Sequence, residues 1–119
     1  MFRRLCAALA LVTALPAAAQ AFETVSDRDT FVGLIDGKSL GIALYGLSLN
    51  VDPAGGITGG AMGSEVTGAW SWQDGYFCRE MAWGSRPIPY NCQLVEVNGD
   101  LMRFTTDRGA GESATFRLN

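Results

Sequence analysis

Residues 66–83, VTGAWSWQDGYFCREMAW, place large apolar side chains at alternate positions on both sides of an Asp74-Gly75 pair. Alternation with a period of two marks a strand with one buried face. Asp-Gly between two such runs is a strong two-residue hairpin signal, because the type I′ turn requires positive φ at both central positions. With Asp74-Gly75 as the loop, Trp72 faces Phe77 and Trp70 faces Arg79. The middle of the chain is therefore committed to antiparallel β structure.

The rest of the chain extends that commitment. Strand patterning covers residues 40–51, 57–62, 66–73, 76–83, 90–97, 101–107 and 114–118, separated by glycine-, proline- and Asp/Asn-rich turns. Asn98-Gly99 supplies a second hairpin signal, which sets Val97 against Asp100, Val95 against Met102 and Gln93 against Phe104. Placing Cys78 opposite Cys92 links the two hairpins and sets Phe77 against Gln93. One face then carries Trp70, Trp72, Phe77, Met81, Trp83, Val95, Val97, Met102 and Phe104. The other carries Ser71, Gln73, Tyr76, Cys78, Glu80, Tyr90, Cys92, Glu96 and Arg103. Three independent signals agree on one apolar face, with the cysteine pair outside it.

Ahead of the strands, Ser26-Asp27-Arg28-Asp29 reads as a helix start with Ser26 as the cap. Phe31, Leu34 and Ile35 share one helical face, and Asp36-Gly37 supplies the stop. The expected fold is mainly β: one short N-terminal helix, then an antiparallel meander of about seven strands forming a small barrel or strongly curved sheet.

Residues 1–21 read as a signal peptide. Arg3 and Arg4 form the basic head, Leu5–Leu15 the apolar run, and Ala19-Gln20-Ala21 a cleavage pattern, with cleavage expected before Phe22 and after Ala19 as the near alternative. Cys6 sits at the start of the apolar run, not just after it, and leaves with this segment. Residues 22–119 then form a single β-rich domain, expected to be periplasmic or secreted, with no membrane span after signal removal. Without Arg3 and Arg4, seven basic residues face twelve acidic ones, a net charge of −5. That balance argues against a nucleic-acid partner, whose phosphates call for a basic face. In an oxidising compartment the remaining pair, Cys78 and Cys92, reads as a disulfide.

Much chemistry is excluded. The chain has no histidine, which removes histidine-based nucleophilic triads and histidine-ligated zinc. With both cysteines bonded to each other, thiolate metal sites go as well, so neither a metal nor a cofactor is expected. Asp52, Glu65, Asp74 and Glu80 show no pairing that marks them as catalytic, and they read as solvated turn and edge residues.

Four stretches carry a family resemblance: FVGLIDGKSL (31–40), VTGAWSWQDGYFCRE (66–80), YNCQLVEVNG (90–99) and RFTTDRGAGESATFRLN (103–119). Over all of residues 22–119 the chain resembles a family of small exported bacterial proteins often labelled dihydrodipicolinate reductase. That label is the only activity the resemblance implies, and it would call for a nicotinamide cofactor on a glycine-rich loop between a strand and a helix. GITGGAMG (Gly56, Gly59, Gly60, Gly63) approximates such a loop with the spacing off by one, and GAGESA (Gly109, Gly111, Ala114) matches a GxGxxA string five residues from the end. Neither is followed by a helical pattern, so no dinucleotide-binding βαβ unit is legible and the glycines read as turns and bulges.

What remains is binding. Trp70, Trp72, Phe77 and Trp83 read as core. Arg79 shares their face, so it must pair with a carboxylate such as Glu65, stack on Trp70, or reach an opening suited to an anionic or planar ligand. Arg79 and Trp70 are thus the candidate ligand site. The segment GSRPIPY (84–90) reads as a proline-stiffened loop offering Arg86, Ile88 and Tyr90 to a protein partner. Across residues 68–92, Gly-x-Trp followed by a single disulfide also resembles small secreted β-barrel protease inhibitors. The expected function is a non-catalytic binding or interaction module, with the inhibitor-like barrel and the labelled reductase as alternatives.

Overall fold

The structure, a computed structural model, describes Ala10 and residues 21–119. Most of the expected signal segment, residues 1–21, lies outside the described residues.

Nine strands and one α-helix follow in order among those residues: β1 (Glu23–Val25), α1 (Arg28–Ile35), β2 (Leu40–Ile42), β3 (Leu47–Val51), β4 (Gly56–Ala61), β5 (Ser64–Gln73), β6 (Tyr76–Trp83), β7 (Arg86–Asn98), β8 (Leu101–Thr105) and β9 (Ser113–Leu118). Strands β2 to β9 pair antiparallel with their sequence neighbours, and β9 returns to β2, so the meander closes into an eight-stranded barrel. Strand β1 is extra. It pairs with Val95–Val97 of β7, beyond the stretch of β7 that β6 covers.

Local chemistry explains the elements. Asp27 caps α1: its carboxylate accepts from the Thr30 backbone N–H at 3.1 Å and from the Thr30 hydroxyl at 2.7 Å. The expected cap, Ser26, is one residue early, because Asp27 itself holds the extended conformation that an N-cap needs. Asp74 and Gly75 take φ of 52° and 86°, the type I′ pattern, and Trp70 faces Arg79 as expected. The second hairpin differs. Its loop is Gly99-Asp100, not Asn98-Gly99, so Val97 faces Met102 and Val95 faces Phe104. Only Gly99 carries a positive φ there (59°), a turn with glycine first. The shift preserves which face each residue occupies.

Two expected strands change shape. Residues 40–51 are not one strand but the β2–β3 hairpin, turned by a short 3₁₀ segment at Ala43–Tyr45 and by Gly46 in the left-handed region. Strand β7 begins at Arg86, so the expected loop 84–90 shrinks to the turn at Gly84-Ser85.

An eight-stranded barrel is just wide enough for side chains to fill its interior. Here the filling is aromatic. Phe31 of α1 is fully buried and enters one end of the barrel, its ring 5.1–5.3 Å from Trp72, Phe77 and Trp70 and 6.4 Å from Phe104. Arg28 clamps the helix down. Its guanidinium donates to the Pro53 carbonyl at 2.7 Å and lies 5.4 Å from the Trp70 ring. Where β4 approaches β3 and β5 approaches β6, the backbones lie too close for a side chain, and glycine permits it. A Cβ at Gly59 would collide with the Ser48 carbonyl, and one at Gly68 with the Glu80 carbonyl.

Candidate functional site

The meander places its connections alternately at two ends. The helix end holds the β3–β4, β5–β6 and β7–β8 turns; the far end holds the β2–β3, β4–β5 and β6–β7 turns and the β8–β9 loop. The sequence-predicted site residues separate along this axis.

Trp70 belongs to the helix end. Its indole N–H donates to the Asp52 carbonyl at 2.7 Å, and the cation over its ring is Arg28, not Arg79. It is core, and it does not line the interior space beside Arg79. Arg79 projects into the middle of the barrel and is only 9 % exposed. Glu65 is not its partner; its Nη1 donates to the Pro89 carbonyl at 2.6 Å. That carbonyl is presented by a bulge, where Pro89 and Tyr90 on β7 oppose Glu80 alone on β6. Proline has no N–H for the ladder, so pairing is interrupted there. Burial pushes the Arg79 pKa down, yet a guanidinium keeps its proton under ordinary conditions.

Gln93 joins Arg79. It faces Phe77 across β6–β7 and is 7 % exposed. Both side chains border an interior space of about 40 Å³, otherwise walled by apolar residues including Leu40, Leu49, Phe104 and Phe116. Sequence reasoning set Gln93 opposite Phe77 but assigned it no role. Its parity with Val95 and Val97 was the available signal for an inward polar group.

The disulfide joins Cys78 and Cys92, which face each other directly across β6 and β7 outside the barrel's aromatic interior. Cys78 is nonetheless buried, and the Tyr90 hydroxyl lies 3.3 Å from the Cys92 sulfur. Of the candidate protein-contact residues, Arg86 faces Trp83 and Ile88 faces Met81 at the far end, with the Arg86 guanidinium 5.8 Å from the Trp83 ring. Tyr90, within the bulge, stands apart beside the disulfide.

The far end carries a feature that the sequence concealed. Leu44 is 84 % exposed, Met62 71 % and Tyr45 55 %. Leu44 and Tyr45 sit in the β2–β3 turn and Met62 in the neighbouring β4–β5 turn, where a Cβ at Gly46 would lie 3.9 Å from the Met62 nitrogen. These turns form one apolar rim.

The glycine strings occupy β structure. Gly56–Gly63 spans β4 and its turn into β5, and Gly109-Gly111 lies in the β8–β9 loop. Among the described residues no helix is long and apolar enough to cross a membrane, and no three His, Cys, Asp or Glu groups gather as a metal site. Fold and site together define a disulfide-stapled, helix-plugged up-and-down β-barrel. No protein-family model, curated protein or solved structure matches the chain.

Proposed function

We propose that this chain is an exported, non-catalytic interaction module that docks a protein partner through the far rim of its barrel. The observation that carries the reading is the exposure of Leu44, Tyr45 and Met62 together on adjoining turns, since apolar side chains clustered in solvent mark contact surfaces. The barrel interior supports it by what it lacks. An internal volume of about 40 Å³ is far below the roughly 300–1,000 Å³ of a small-molecule pocket. Export rests on the signal-like residues 1–21, and the Cys78–Cys92 bond fits an oxidising compartment.

A photoreactive residue in place of Leu44 or Met62, with Lys38 at the helix end as the control position, tests this in a periplasmic extract. Adducts to one protein from positions 44 and 62, absent from position 38, are the expected result. No adducts, or adducts equally from both ends, would sink the rim reading. A protease as the captured partner would select the inhibitor-like alternative. Binding of reduced nicotinamide cofactor in equilibrium dialysis would revive the reductase alternative.

A further inference from the structure

The wall of the barrel is not continuous at the far end. Strand β2 pairs with β9 at Leu40–Leu118 and Gly41–Arg117 and goes no further. Ala43, which would come next opposite Thr115, begins the 3₁₀ segment that turns the chain into β3. The lane beside Ser113–Thr115 of β9 is therefore vacant among the described residues. Backbone groups alternate in direction along an antiparallel strand, which fixes the ones that face this lane. The Leu118 N–H donates to the Asp100 carbonyl at 2.7 Å, so Phe116 and Ala114 point to β8 as well. The Asn119 and Ser39 N–H groups donate to each other's carbonyls at 2.9 and 3.2 Å, so Arg117, Thr115 and Ser113 point to the β2 side. Arg117 meets Gly41 there. Among the described residues nothing meets the backbone of Thr115 or Ser113 on that side, and residues 113–115 are all exposed.

A second sheet edge at this end is closed, which makes the open one informative. Strand β7 runs past β8, whose pairing reaches only to Leu94. Over that stretch Pro87 and Pro89 have no N–H to offer. The Asn91 amide donates to the Asp107 carboxylate at 2.8 Å and accepts from the Asp107 N–H at 3.0 Å, which ties the β8–β9 loop over the strand. Prolines, charges and covering loops are the usual protection of an edge against added strands. Ser113-Ala114-Thr115 has none of them. Its inner face is uncovered too: Ala114 sits opposite the buried Phe104, yet it is exposed. Leu44 and Tyr45 of the apolar rim flank the vacancy, because they belong to the turn that creates it.

We propose that the partner docks as an extended segment in this lane, hydrogen-bonded to the backbone of Ser113 and Thr115, with alternate apolar side chains covering Ala114 and the rim. The inference rests on the rim reading and names the kind of partner the rim takes. In strand addition the main-chain bonds supply affinity and the alternate side chains supply selectivity. A loop or chain end fits, since the lane runs into Ile42 of β2 and borders the β2–β3 turn. A strand already paired inside a second barrel would have to bring its neighbours into the same space.

The edge itself is tested by two variants. Thr115→Pro removes an N–H that faces the lane, and Ala114→Pro removes one that serves β8. Thr115→Pro should melt near the wild type and Ala114→Pro well below it; Thr115→Pro as damaging as Ala114→Pro overturns the open edge. Strand addition is then read by amide exchange with a soluble, capped peptide of alternating valine and threonine as the probe. At saturating peptide the Ser113 and Thr115 amides should slow by about tenfold or more while Ala114 is unchanged, and Thr115→Pro should lose the binding. Unchanged exchange at both amides overturns the proposal. In a periplasmic extract, the adduct from a photoreactive residue at position 44 should disappear when Thr115→Pro is added. An adduct that persists overturns strand addition and leaves the rim reading standing. No adduct even without Thr115→Pro sinks the rim reading, and the peptide exchange then decides the edge alone. An adduct of this chain with itself overturns the extended segment in favour of a second copy.

Discussion

The two ends of the barrel are built from the same kind of hairpin and treated in opposite ways. At the helix end, Phe31 is fully buried among four aromatic rings, and Arg28 ties the helix to Pro53 and Trp70. At the far end, three large apolar side chains are left in water. The difference teaches how a small domain divides its labour. Burying an aromatic plug yields several kilocalories per mole, which an exposed rim forgoes. Stability concentrates at one end, and the proposed contact surface occupies the other.

The strongest way to break this contrast is to remove the plug. Phe31→Ala should cost about 3–5 kcal/mol, the range for a truncated core aromatic, measured by chemical denaturation; a loss below about 1 kcal/mol would mean that the helix is not the keystone of that end. Next comes the staple between the two ends. Replacing Cys78 and Cys92 together by serine opens a loop with a sequence separation of 14 and should cost about 3 kcal/mol. The outer placement of the bond implies that the barrel's register survives, which amide exchange across β6 and β7 can check.

A smaller effect sharpens the helix end. Hydrogen bonds from the Thr30 hydroxyl and then the Thr30 backbone N–H hold the Asp27 carboxyl below its ordinary pKa. A depressed folded-state value stabilises the fold above the unfolded pKa, and that contribution fades as pH falls through the folded value. Asp27→Ala should therefore lower Tm slightly near neutrality, and the difference from wild type should vanish in acid. The smallest effect belongs to the rim. Leu44→Ser with Met62→Ser should change stability by no more than about 0.5 kcal/mol, because exposed side chains far from caps and core contribute little.

Some of this architecture is legible in the sequence itself. Alternation around Asp74-Gly75 fixed the β5–β6 register, and the two cysteines carried it to β7, because side-chain parity survives even a shifted loop such as Gly99-Asp100. Other parts were hidden for physical reasons. The β2–β3 turn is made of Ala43, Leu44, Tyr45 and Gly46, residues that read as the interior of one strand over 40–51, so the exposed turn and its apolar rim are not legible in the pattern. Strand β1 has three residues, too few for periodicity to register. The candidate ligand pair of Arg79 and Trp70 was correct in register, but the ring was already served by Arg28, a tertiary contact from 42 positions earlier in the chain. Gln93 took the place beside Arg79 because a strand's parity, not its composition, decides what points inward.

The segregation of stability from binding is tested most directly by the Leu44→Ser, Met62→Ser pair, read for Tm and for capture by a photoreactive group at Tyr45 in the same preparation. The expected result is an unchanged melt with the partner adduct lost. A lowered Tm, or an adduct undiminished beside an unchanged melt, would contradict the division between the two ends.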